Sequence, residues 1–205
     1  MGMRKKWDLP FEQSRALVVL SIAFLTGGMM GCVLAALSGG AGADELSRYL
    51  VDYLTLSQDG QLSRSLWPVL WGQLKYLLAA LLLGLTALGL AGFPVLFAAR
   101  GFFVSFPAAC FCRVFGMRGL FPAFILFALP ALLWAPALFL MGVSGFLSAQ
   151  QLLRRALGEG RGGLPPGGVA YWSRAGLCAG LALAAGLLEY WVVPVLLRET
   201  AHVIL

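Results

Sequence analysis

Long apolar runs alternate with short polar intervals from one end of this chain to the other. The first run, 16–37, follows Arg15 and ends at the flexible "SGGAGAD". It has the length of a membrane-crossing helix, and the spacing predicts an uncleaved first span rather than a signal peptide, whose apolar core is only about 7–15 residues. Over 44–73 the pattern changes. Leu46, Leu50, Tyr53 and Leu54 recur at helical spacing while Asp44, Glu45, Arg48 and Asp52 fall mostly elsewhere. That predicts an amphipathic helix at the membrane surface, broken by "QDG" at 58–60. Trp67 and Trp71 then mark an interfacial approach to the next span.

A second span is expected over 76–99, between Lys75 and Arg100. The segment 101–117 is short and interrupted by Pro107 and Arg113. It either crosses, with Arg113 reaching to an interface, or is re-entrant. Residues 120–149 make a longer run with Pro122, Pro130 and Pro136, which predicts a tilted or kinked helix, or one broken near "LPALLWAP". A polar loop, 150–174, precedes a last span over 175–197.

Composition agrees with this rhythm. Hydrophobic residues make up 60% of the chain and charged residues only 12%, with a mean hydropathy of +0.86. Soluble domains carry about a quarter charged residues. The expected fold is all-α: a polytopic α-helical membrane protein, one integral domain with about five transmembrane helices and an external amphipathic helix. Net charge is +6, but the cations sit at the ends of apolar runs, which suits topology and anionic headgroups and argues against nucleic acid.

With residues 1–15 inside and five crossings, Arg4, Lys5, Lys6, Arg15, Arg100, Arg154, Arg155, Arg161 and Arg174 fall on the cytoplasmic side, together with the 150–174 loop. Arg48, Arg64, Lys75, Arg113, Arg118 and Arg198 fall outside. The bias has the positive-inside sign and leaves the amphipathic segment and the C-terminal tail outward. A re-entrant 101–117 would instead end the tail inside.

The chemistry of catalysis is not legible here. The spans contain no paired aspartates, no H-E-x-x-H and no G-x-S-x-G, and the single histidine, His202, lies outside the apolar runs. No P-loop is present, so nucleotide-driven work would need a separate subunit. Cys32, Cys110, Cys112 and Cys178 lie in apolar surroundings without metal-ligand spacing and read as small buried hydrophobes. No enzyme, metal or cofactor is expected.

Intramembrane charge is what remains. Glu189 lies in "LLEYWVVPVLL" about 12 Å from the outer end of the last span. An ionised group at the bilayer centre costs at least about 2.5–3.5 kcal/mol on insertion scales unless paired or wetted. Glu189 is therefore read as a packing or partner contact, with Arg100 or Arg113 as counter-charge, or as a residue on an ion pathway. Gly27 and Gly31, and Gly176 and Gly180, form G-x-x-x-G pairs suited to close helix packing. The segment 44–73 is the candidate docking surface for a soluble partner, through Asp44, Glu45, Arg48, Asp52, Trp67 and Trp71.

The order of these features resembles the stage II sporulation protein M family. The match runs through "FPVLFAARGFFVSFPAACFCRVFGMRGLFPAFILFALPALLWAPALFLMGVSGFLSAQQLL", residues 93–153. It is carried by the basic-Gly-Phe step at 100–102, "FGMRGL" at 115–120, "LPALLWAP" at 129–136 and the late "EYWVVP" beginning at Glu189. An N-terminal span followed by an amphipathic external segment also fits. The chain departs from the wider family in having proline and alanine where a polar His-Gly…Glu arrangement often occupies the fourth span.

The resemblance implies a multi-pass protein of the bacterial cell membrane, on the mother-cell side of the sporulation septum. It would act there as a non-catalytic scaffold for peptidoglycan remodelling during forespore engulfment. The implied partners are the lipid bilayer and the peptidoglycan-degrading stage II sporulation proteins D and P, with a homo-oligomer also open. The alternative expectation is a transporter or channel-like subunit, such as the permease partner of a separate ATPase.

Overall fold

The computed structural model describes residues 11–37, 41–58, 65–158 and 169–204, which are helical almost throughout, with no strand among them. Arg4, Lys5, Lys6, Asp59, Gly60, Arg64 and Arg161 lie outside the described residues, as does the centre of the expected 150–174 loop. The elements in order are α1 (Phe11–Leu37), α2 (Ala41–Gln58), α3 (Leu66–Gly84), α4 (Gly89–Phe115), α5 (Leu120–Ala123), α6 (Leu129–Ala156) and α7 (Val169–Ile204).

Side-chain contacts fix the directions. α1 and α4 run parallel: Gly27 meets Ala98, Gly31 meets Phe102 and Phe106, and Arg113 reaches the carbonyls of Ala35 and Ala36. α4 and α6 run antiparallel, with Phe93 against Phe146 and Phe97 against Phe139 at ring-centroid distances of 6.4 and 4.9 Å. α7 is antiparallel to both α6 and α3, through Arg174 to Ser144 and Tyr171 to the Leu81 carbonyl. The start of α1, the α3–α4 turn and the start of α7 therefore share one end, called basal here. α2, the start of α3 and the α4–α5 turn share the upper end, where Leu50 packs in a cluster with Ala35, Phe111 and Val193.

The main core fills the basal half, around Phe93, Phe97 and Met141, and reaches up to Trp134. Gly142 and Gly145 admit the Phe97 and Phe93 rings against α6, so the largest side chains sink into the smallest. Outside this core, Leu82, Leu132, Leu177 and many other large apolar side chains are exposed. A surface so apolar belongs in lipid. Among the described residues four helical stretches are long and apolar enough to cross a membrane, and the longest, of 68 residues, is folded back on itself. The chain is an all-α, multi-pass membrane protein.

The helix boundaries correct several expectations. The segment 76–99 is not one helix: α3 ends at Gly84 and α4 begins at Gly89. An apolar turn replaces the polar one that hydropathy would detect. Its backbone is satisfied internally, as bilayers require, by Leu85 N–H to Leu82 O, Thr86 N–H to Leu83 O and Gly89 N–H to Thr86 O at 3.1–3.2 Å. The Thr86 hydroxyl donates to Leu83 O at 3.2 Å. A Cβ on Gly89 would collide with the Leu83 carbonyl, so the turn needs a glycine there.

The segment 101–117 is accordingly the second half of α4, whose 27 residues extend about 40 Å. That is a crossing length, and α4 has no re-entrant break. It reverses at Gly116, where φ is +60°, a conformation that glycine adopts without steric cost. The break expected near "LPALLWAP" is a widened π-type turn at Phe124–Ala128, just before Pro130. Proline lacks the N–H that would continue the ladder, and the wider turn absorbs the mismatch.

The amphipathic segment is shorter than 44–73. α2 ends at Gln58, and Trp67 and Trp71 belong to the first turns of α3. The loop contracts as well, because residues 150–156 continue α6 and α7 begins at Val169. Gln151, Arg154, Ser173 and Arg174 are exposed there without ending a helix.

Candidate functional site

Four helices each turn one helical stripe toward a shared cavity of about 530 Å³ in the upper half of the bundle. α3 contributes Val69, Gly72, Gln73 and Tyr76, and α4 contributes Arg100, Val104, Pro107 and Phe111. Pro130 and Trp134 line it from α6, and Glu189 from α7. Tyr49 and Leu50 of α2 lie across its upper end. The spacings are those of single helix faces, so each stripe is a consequence of helical periodicity.

Its floor is a polar chain through three helices. Arg100 Nη2 donates to Gln73 Oε1 at 2.8 Å, and Gln73 Nε2 donates to Glu189 Oε2 at 2.8 Å. An amide can accept from a cation with one atom while donating to an anion with the other, which makes glutamine a suitable spacer between opposite charges. The Arg100 guanidinium also lies between two rings, 4.3 Å from the Tyr76 centroid and 4.0 Å from that of Trp134. Cation–π contacts of this kind contribute about 2 kcal/mol when desolvated. The Arg100 Nε–H is buried with no hydrogen-bond partner among the described residues.

Glu189 thus faces Arg100 through Gln73 and does not face Arg113. Arg113 Nη1 instead donates to Ala35 O at 2.6 Å and to Ala36 O at 3.3 Å. These are among the last carbonyls of α1, which lack helical partners and carry the negative end of the helix dipole. Arg113 is a cap. Arg100, expected at the cytoplasmic end of a span, sits mid-way along α4 because the helix boundary lies at Gly89 rather than at 100. Lys75 is likewise mid-helix and exposed, 5.1 Å from the Tyr76 ring centroid.

Gly27 and Gly31 do pack closely, against the α4 backbone at Ala98 and at Phe102 and Phe106. Gly28 and Gly101, which the sequence reading passed over, complete the seam, with Gly101 against the Phe24 carbonyl. Gly176 and Gly180 differ: a Cβ on either meets nothing within 4 Å. The buried face of α7 is formed by Ala175, Cys178, Ala182 and Ala185, so the G-x-x-x-G pair points away from the bundle.

At the upper end, Glu45, Arg48 and Asp52 are exposed at helical spacing on α2. The side chain of Asp44 lies outside the described residues. Trp67 and Trp71 are 71% and 49% exposed and stack at 6.3 Å. Of the cysteines, Cys110 and Cys178 are buried, Cys112 is partly so and Cys32 is exposed, so the buried-hydrophobe reading does not hold for Cys32. All four are unpaired, and no cluster of potential metal ligands occurs among the described residues.

Sequence reasoning missed Gln73, Tyr76 and Trp134. The available signal was a lone amide, Gln73, within the apolar "LWGQLKYLLAALLLG", at a depth where an unpaired polar group would be costly. Comparison with family models, curated proteins and solved structures gives no match to this chain.

Proposed function

We propose that this chain is a non-catalytic membrane scaffold of the stage II sporulation protein M type, holding peptidoglycan-degrading proteins D and P at the septum during engulfment. One observation carries the reading. Three of the four stretches behind the resemblance, dispersed from Arg100 to Glu189, line one cavity. The 100–102 step supplies Arg100, "LPALLWAP" supplies Pro130 and Trp134, and "EYWVVP" supplies Glu189, all lining the cavity. "FGMRGL" forms the reversal between α4 and α5. Apolar similarity alone gives no reason for such convergence.

On this reading, the bundle is a rigid platform, and α2 with Trp67 and Trp71 presents the partner-facing surface on the wall side. The scaffold acts by raising local concentration, so it needs binding and position rather than a reactive group. The test is co-purification of the full-length tagged protein with the two wall-degrading proteins. Charge reversal at Glu45, Arg48 and Asp52 should cut recovery at least tenfold without lowering expression. Failure of the parent protein to recover either partner would overturn the proposal, as would normal engulfment after deletion of the gene in a sporulating host.

A second reading, a transporter or channel-like subunit, is favoured by the cavity with ionisable groups at mid-helix. Its test is flux through proteoliposomes that Glu189→Gln abolishes; an ion-tight, solute-tight vesicle would count against it.

A further inference from the structure

We infer that the cavity is a binding site for an anionic amphiphile, with an oxyanion seated at Arg100 and an apolar chain held between α3, α4 and the Pro130 bend. This goes beyond the scaffold reading and stands whether or not that reading holds.

Charge comes first. Arg100 and Lys75 line the cavity against one carboxylate, Glu189, which leaves it net cationic. Glu189 does not neutralise Arg100 directly, because Gln73 stands between them and holds one group of each. Arg100 is engaged by Gln73 Oε1 at 2.8 Å and by the Tyr76 hydroxyl, while guanidinium offers five N–H donors. A planar cation pinned between two rings with donors to spare is suited to a carboxylate or phosphate.

Shape and access come next. Above Arg100 the walls are apolar: Phe103, Val104, Pro107, Leu126 and Phe127. From Arg100 to Phe111 the cavity follows α4 for about 16 Å, and its volume lies in the range of small-molecule sites. Gly72 faces this space with nothing within 4 Å of a built Cβ. Lys75 on α3 and Phe103 on α4 line the cavity and are also exposed at the bundle surface, so it opens sideways between these helices toward lipid. Lateral access from the bilayer selects a ligand with an acyl chain over a free anion.

The experiment uses the full chain in a neutral detergent. Radiolabelled oleate supplies a carboxylate head, lysophosphatidate a phosphate head, and monoolein a neutral head on the same kind of chain. Saturable binding of oleate, lysophosphatidate or both, at least tenfold tighter than monoolein, is the expected result, and the preferred arm identifies the head group. Arg100→Gln should weaken binding at least tenfold. Gly72→Leu should block the cavity while leaving the melting temperature unchanged or raised, which separates loss of the site from loss of fold. The inference is overturned if monoolein binds as well as the anions, if inorganic phosphate displaces them fully, or if Gly72→Leu binds like the parent.

Discussion

Replacing Gln73 with leucine removes the middle of the Arg100–Gln73–Glu189 chain while nearly preserving volume. Two hydrogen bonds to ionised partners, each 2.8 Å, are lost. Bonds to charged groups contribute about 1.5–3 kcal/mol each in water-soluble proteins. Interhelical bonds in membranes average only about 0.6 kcal/mol, because the separated helices find other partners. Here the partners are charges at mid-helix with few alternatives, although the adjoining cavity gives water some access. The Tyr76 and Trp134 rings continue to hold the guanidinium. The loss should therefore fall between the two limits, at about 2–3 kcal/mol.

Reversible unfolding in mixed micelles, followed by tryptophan fluorescence, measures the loss. If Gln73 acts by bridging, its cost should shrink when Glu189 has already been replaced by leucine, with a coupling energy of about 1 kcal/mol or more. A cost below about 0.5 kcal/mol together with full additivity would refute the relay as a stabilising element.

Gly27→Leu should destabilise by about 3 kcal/mol or more, since its Cβ would enter the Ala98 backbone; Gly180→Leu, into open space, should stay within about 0.5 kcal/mol, and equal effects on melting temperature would contradict the packing. Arg113→Gln should cost about 1–2 kcal/mol through lost capping of α1, read in the same unfolding assay, and no change would remove the capping role. A reporter placed after Leu205 should be active on the side opposite a reporter at the N-terminus; reporters on the same side would contradict five crossings.

Much of the fold was written in hydropathy. The spacing of apolar runs located α1, the α5–α6 arm and α7, and the proline at 130 announced the bend that Phe124–Ala128 makes. The α3–α4 turn was hidden, because "LLLGLTALGLAGF" is apolar throughout and its bonds close within the turn itself. One missed boundary displaced Arg100 from the middle of a helix to an end, and with it the depth of the site. Glu189 and Arg100 were visible as charges among hydrocarbon, but Gln73 was not. An amide looks unremarkable until the helices bring it between two opposite charges 27 and 116 residues away along the chain. The fates of the two G-x-x-x-G pairs were equally illegible, since spacing places small residues on one face without saying which face is covered.

The central claim is a cavity in the α2 half of the bundle, floored by Arg100 and walled mostly by apolar side chains. Gly72→Cys, in a chain with Cys32, Cys110, Cys112 and Cys178 replaced by alanine, tests it most directly. A membrane-impermeant maleimide added on the α2 side of sealed vesicles should label Cys at this position, and the same reagent on the opposite side should not. Absence of labelling from the α2 side, or labelling only from the other, would contradict the account.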